Sequence, residues 1–521
     1  MAERAQLDLR GGWVVDGAGG PPHRADVAVR DGAIVAVGRL PGGDAEVIDC
    51  DGLLLLPGFV DAHSHADGVL DRDDVQLALL SQGVTSVILG QDGLSFAPAG
   101  AATLDYVGAY FGAVNGPGER FAPAPVTVAA LLQTYRGRTG VNYGYLVPHG
   151  NLRLEVIGAE PRAASDAEVA QMRDLLRAGL ADGALGMSTG LEYAPGASAD
   201  AAELAALAAG VAEVGGVWAT HMRGYEAASD SAMEESVAVA RASGAALHVS
   251  HYHGPVHLLS GLVDDARASG VDVTFDTYPY RHGSSILAMV ALPAWAHEGG
   301  PAATLSRLSD PAVRTRLRDE IAGARADALA RGRLSLVGAE QLRWCEGLSV
   351  AQAAERAGQE LVEFLCQLLV ESELQVGCVF PHPATHAEAD LRGLLRHPAH
   401  MAGSDGLYVG GVPHPRAWGT FARFLARHVR ELGDYDWAAA AVHLSSHAAR
   451  RFGLGARGLI RPGFVADVVA LDPDEISDEA TFEQPTRPAK GVRHVWVAGV
   501  PVLRDGDLTG AVPGAALTRL S

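Results

Sequence analysis

Two histidines separated by one serine, His63 and His65 in LLLLPGFVDAHSHADG, follow an apolar run and are of the right type to share one cation. Side chains at i and i+2 of a strand share a face, so both imidazoles can point the same way. The pair alone decides nothing, since strand-end histidines are commonly plain hydrogen-bonding residues. Other polar residues recur in matching places. The strand-like runs VTSVILG, NYGYLVPH, ALGMSTG, GVWATH, ALHVSH, DVTFDT and HMAGSD close on Gln91-Asp92, His149, Ser188-Thr189, His221, His251, Asp276 and Asp405. Neutral imidazole and carboxylate suit Zn²⁺, with Mn²⁺, Co²⁺ or Fe²⁺ less favoured. A cation gathered by such a set polarises a carbonyl and makes water a nucleophile.

The elements that must position these residues follow from the periodicity. With GFVDAH the runs number eight, and amphipathic segments such as AAELAALAAGVAEVGG and SAMEESVAVARASG precede most of them. Strands alternating with helices imply parallel pairing, and eight such units predict an α/β fold of the (β/α)8 TIM-like barrel type, with chemistry at the carboxyl ends of the strands. No G-x-G-x-x-G follows an early strand, so a doubly wound dinucleotide fold gains no support. Residues 57–454 form this expected barrel. The interval from Tyr278 to His400 is too long for one crossover, and its text (DPAVRTRLRDEIAGARADALARG, LVEFLCQLLVES) predicts a helical insertion, residues 284–395, between strands seven and eight. It is a candidate lid over the barrel mouth. Both ends of the chain read instead as short strands with Asp-Gly and Gly-Gly turns. Residues 1–56 and 455–521 are each too small for a core, which predicts one small β domain built from both termini.

Composition narrows the classes. The chain of 521 residues is 48% hydrophobic and carries a formal charge of −21, which disfavours a nucleic-acid partner. No apolar run approaches the length of a membrane span. MAERAQLDLRGG lacks the order of a secretory signal, and Cys50, Cys345, Cys366 and Cys378 show no paired spacing. A reducing, cytoplasmic setting is the expectation. Lysine occurs only at Lys490.

VDAHSHAD, the later strand-end histidines and MAGSDG resemble the amidohydrolase superfamily. SQGVTSVILGQDGLSFAP, GLEYAPG, DTYPYRHGSS, GSDG…PHPRAWGTF and RRFGLGARGLIRPGFVADVVALDP resemble its D-aminoacylase (N-acyl-D-amino-acid deacylase) branch, nearly end to end. The resemblance implies a barrel with a small β domain, one or two Zn²⁺ ions and hydrolysis of the N-acyl bond of a small D-amino acid derivative. By position, His221 and His251 match the ligands of the tightly held zinc, His63 and His65 match a weaker metal position, and Asp405 matches the catalytic base. Where the family carries cysteine in a G-N-C-G turn, this sequence has Gly90-Gln91-Asp92-Gly93, so Asp92 stands in for a thiolate ligand. Tyr193, Tyr278, Ser284 and Arg416 match positions that hold the substrate's carboxylate or acyl carbonyl, although a surface arginine would also fit the text. The family's His-His-Lys on strand six is here His251-Tyr252-His253, and His253 could replace the lysine when protonated. His149 and His248 read as structural.

Two other readings stand beside this one. A cyclic-amide hydrolase of the dihydroorotase or hydantoinase kind usually carries a carboxylated lysine, which Lys490 is poorly placed to supply. A non-catalytic scaffold should have lost ligands or base, whereas four histidines and Asp405 remain.

Overall fold

The computed structural model describes residues 6–383 and 386–519; the parts of the expected segments at 1–5, 384–385 and 520–521 lie outside the described residues. The eight runs form β1 (Phe59–Asp61), β2 (Val84–Leu89), β3 (Asn142–Pro148), β4 (Gly186–Gly190), β5 (Val217–His221), β6 (Ala246–Val249), β7 (Val273–Thr277) and β8 (His400–Ala402). Each pairs in parallel with its neighbour in chain order. The ring closes between β1 and β8: Ala62 N–H donates to Ala402 O at 3.1 Å, and Asp405 N–H to His63 O at 2.8 Å. Asp61 pins the same seam, accepting from the Ser404 backbone at 2.8 Å and its hydroxyl at 2.5 Å.

Strand alternation sorts the apolar residues into two layers. Val60, Ile88, Leu146, Ala219 and Met401 form one cluster with Phe452, Leu454 and Leu517, filling the barrel's interior. Phe59, Val87, Tyr145, Trp218 and Ala402 belong to another, packed against the surrounding helices. The two helices expected before β5 and β6 occur as Ala201–Glu213 and Ser229–Ser243.

The terminal segments form two sheets. A four-stranded sheet uses Leu7–Arg10, Asp26–Arg30, Ala33–Gly38 and Glu46–Asp49. In a seven-stranded sheet, Leu54–Pro57 pairs antiparallel with Val468–Leu471, so the two ends of the chain interleave. Leu9, Val27, Val29, Val468 and Trp496 lie in their shared core.

The insertion is not purely helical. Between its helices, His282–Ile286, Val376–Pro381 and Arg333–Val337 make a three-stranded antiparallel sheet. Its apolar cluster runs from Leu287 to Cys378. The helix Glu388–Leu395, counted with the insertion from sequence, instead buries Leu391, Leu394 and Leu395 in the barrel's outer layer.

His149 does not end a strand but opens the helix His149–Val156, and there it is structural. Its Nε2 lies 2.7 Å from Glu203, whose other oxygen pairs with the fully buried Arg153. Burial opposes the carboxylate charge, yet His149 and Arg153 together bring Glu203 down to about 2. Glu203→Ala strands a buried guanidinium and is expected to cost about 3–5 kcal/mol in urea unfolding. Because the folded pKa is depressed, this stabilisation is complete above the ordinary value of 4.5 and is lost as pH falls toward about 2. Equal midpoints for wild type and variant at pH 7 would refute it.

Candidate metal centre and cavity

The carboxyl ends of β1, β2, β5, β6 and β8, with the loops leaving them, bring together six residues at the barrel mouth. Ligand atoms of His63, His65, Asp92 and Asp405 all lie within 4.8 Å of one another, and so do those of Asp92, His221 and His251. Asp92 belongs to both sets. Its Oδ1 is 3.6 Å from His63 Nε2, while its Oδ2 is 3.5 Å from His65 Nε2, 3.5 Å from His251 Nε2 and 3.8 Å from His221 Nδ1. His63 and His65 lie just past β1, but the ladder continues through a Ser64–Gly406 bridge and keeps both rings on one side. Asp92, His251 and Asp405 have φ of 55°, 36° and 47°. Such left-handed backbone persists only where surroundings hold it, and it turns these side chains inward from the strand ends.

The far nitrogens of three histidines are occupied. His63 Nδ1 faces Asp276 at 3.4 Å, and His221 Nε2 donates to Glu192 at 2.8 Å. His65 Nδ1 is 2.9 Å from Asn115 Oδ1, and the Asn115 amide already donates to Leu94 O, so the imidazole must be the donor. Each neutral ring therefore turns a lone pair toward the centre. There His63 Nε2 and His65 Nε2 are 3.3 Å apart, and His221 Nδ1 and His251 Nε2 are 2.9 Å apart. The facing lone pairs of His63 and His65 repel unless a proton or a cation lies between them, and the close His221–His251 contact likewise needs a shared proton or cation. Asp92 Oδ1, buried, has no hydrogen-bond partner among the described residues. The donor set fits a divalent ion of the Zn²⁺ kind, with distal partners of the sort that orient ligating histidines.

The electrostatics carry the same demand. Burial disfavours the charged rings, but Asp405 and Asp92 lift His65 to about 9, and Asp92 and Glu192 lift His221 to about 9. Against burial, the surrounding imidazoles hold Asp92 well below the usual carboxylate range. Asp405 is likewise lowered despite burial, first by Arg416, whose Nη1 is 2.9 Å from Asp405 Oδ2. The pocket concentrates negative charge that either protons or a metal ion can balance.

A cavity of about 420 Å³ opens over these groups, and the insertion forms one wall through Gly283, Ser284, Met289, Phe380 and His382. Arg416 is not a surface residue: fully buried, it also donates to the Ser284 carbonyl at 3.2 Å and lies over the Tyr278 ring at 4.6 Å. Tyr193 lines the cavity, but its hydroxyl is committed to the Asp92 backbone carbonyl at 2.5 Å. His253 also lines the cavity, where burial pulls its imidazole down to about 3 and disfavours the positive charge that a lysine would carry. His248, behind the centre, bonds Asp276 at 3.0 Å and Thr274 at 2.9 Å, a structural part. Asn115 and Glu192 were absent from the sequence-derived set. Glu192 sits inside GLEYAPG, the one signal that pointed to it, whereas nothing in the text marks Asn115.

The chain matches the Amidohydrolase family over residues 46–503. It is 33% identical to the D-aminoacylase of Alcaligenes xylosoxydans xylosoxydans, over 98% of this chain and 97% of that protein. The crystal structure of N-acyl-D-glutamate deacylase from Bordetella bronchiseptica, complexed with zinc and a phosphonate mimic of the tetrahedral intermediate, aligns with a TM-score of 0.83. Identity is 32%, over 99% of this chain and 100% of that one. A D-aminoacylase structure, described for its binuclear metal centre, aligns with a TM-score of 0.81 at 30% identity over 98% and 99% of the two chains. With the closed parallel barrel and a match running nearly from end to end, the chain belongs to the amidohydrolase family.

Proposed function

We propose that this protein is a metal-dependent amide hydrolase that removes the N-acyl group from a D-amino acid or a closely related N-acyl compound. The observation that carries the reading is the pair of facing imidazole contacts around Asp92, beside a buried carboxylate, Asp405, that borders the cavity. His63, His65, Asp92, His221 and His251 would hold Zn²⁺, and Asp92, whose carboxylate belongs to both ligand sets, supports two ions. A divalent ion held there would lower the pKa of water to about 7 and polarise the acyl carbonyl.

The chain's own residues supply the remainder. Asp405, ionised at neutral pH, accepts the proton of the attacking water and returns it to the leaving nitrogen. General acid–base transfer is worth about 10²–10⁴-fold, and an amide nitrogen needs that proton to depart. Arg416 lies on the cavity wall, where its fork suits a substrate carboxylate, with Tyr278 stacked beneath it and Ser284 fixing it. Tyr193 steadies the Asp92 turn. Phe111, Val114, Met289 and Leu407 offer apolar surface for a side chain or acyl group.

Glu192 orients His221 from behind, so Glu192→Gln is expected to weaken metal affinity about 10–100-fold in competition against a chelating dye, with the fold intact. Unchanged affinity would deny it that role. The function itself is tested by metal analysis with a panel of N-acetyl D- and L-amino acids and cyclic ureides. Turnover of N-acetyl D-amino acids is expected. Turnover of the ureides alone would replace this reading with cyclic-amide hydrolysis, and neither metal nor turnover would indicate a scaffold. Lys490, paired with Glu479 at 3.2 Å in the terminal β region, is no bridge between metals.

A further inference from the structure

A second group of donors lines the same cavity and shares no residue with the centre around Asp92. His253 follows β6, His382 follows the insertion strand Val376–Pro381, and Glu226 opens the turn Glu226–Ala228 after β5. One ligand atom from each lies within 4.8 Å of the others. His253 Nδ1 is 2.8 Å from the His251 carbonyl, which can only accept, so Nε2 keeps its lone pair. The rings of His253 and His382 are 4.3 Å apart.

A further imidazole stands beside them. His386 is 1% exposed, and among the described residues neither of its ring nitrogens has a hydrogen-bond partner. Its ring lies parallel to His253 within 10° at 5.9 Å, and its Nδ1 is 3.9 Å from Glu226 Oε1. Buried polar atoms are rarely left unpaired, and where they are, an ion or an ordered water commonly completes them. Glu226 also has φ of 53°, a conformation that a glutamate adopts only under constraint and that sets its carboxylate among the imidazoles.

We propose that Glu226, His253 and His382 form a separate transition-metal site at the cavity mouth, with His386 as an adjoining donor. Two imidazoles and one carboxylate favour Zn²⁺, Co²⁺ or Ni²⁺ over Mg²⁺ or Ca²⁺, which prefer all-oxygen shells. An ion there adds positive charge to a wall on which Arg416 is the sole arginine or lysine among the described lining residues. The site does not depend on the proposed activity, because none of its ligands belongs to the Asp92 centre.

The test uses full-length protein stripped of metal by chelator dialysis and titrated with Co²⁺. Bound cobalt is counted by plasma mass spectrometry, and its visible absorption is recorded. Wild type should bind one more Co²⁺ per chain than either His382→Ala or Glu226→Gln, with the remaining cobalt spectrum and the circular dichroism unchanged. The conservative Glu226→Gln keeps the comparison valid should His382→Ala fail to fold. Asp92→Ala should instead lose cobalt from the barrel centre and retain the outer ion, which separates failure of the two assignments. Equal cobalt counts in wild type and in the folded mouth variants would overturn the proposal.

Discussion

Asp405→Asn is expected to lower kcat by about 10²–10⁴-fold while leaving metal content and unfolding midpoint close to wild type. Asparagine matches the shape of aspartate and tolerates the left-handed backbone at position 405, so the seam between β1 and β8 should survive. What it lacks is the basic oxygen. In the wild-type protein Arg416 holds that carboxyl below the usual range against the effect of burial, so the base stays deprotonated through neutral pH. The variant removes the proton acceptor without removing Arg416, and its loss should therefore appear in kcat more than in KM. A variant turning over at nearly the wild-type rate would take Asp405 out of the mechanism.

Asp92→Ala should have the other large effect, the loss of metal from both ligand sets together with measurable turnover. Among the described residues no other acidic side chain reaches all four imidazoles, and its removal deletes the shared anion that balances a divalent charge. Asp92→Cys separates the parts of this argument. A thiolate is a better zinc ligand than a carboxylate but presents one donor atom where aspartate presents two. The cysteine variant is expected to keep one ion at the barrel centre and to hold the second more weakly, as read by metal titration with plasma mass spectrometry. Full metal content in Asp92→Ala would show that the histidines alone suffice.

Much of this organisation is legible in the chain because barrel strands are short apolar runs whose polar residues cluster at one end. His63, His65, His221 and Asp405 could be ordered into one site from that pattern. The partners of those residues could not. Asn115 meets His65 and Glu192 meets His221 through pairings fixed by how helices and loops lie over the barrel, which periodicity does not encode. The same holds for charge: HYH reads as two exchangeable imidazoles, but the burial of His253 decides its protonation. In the insertion, helix-rich text concealed three strands, since HGSSI, RLSLV and VGCVFP are too short to show a period-two signal against their surroundings. His382 and His386 stand four apart in PHPATH, but Glu226 lies far from them in the chain, and no spacing links it to that pair.

The interleaving of the chain's two ends in one sheet bears on how the protein is made. Leu54–Pro57 emerges from the ribosome roughly 400 residues ahead of its antiparallel neighbour, Val468–Leu471. At about 5–20 residues per second, that strand edge stays bare for a time on the order of tens of seconds, open to chaperones or to stray pairing with other nascent chains.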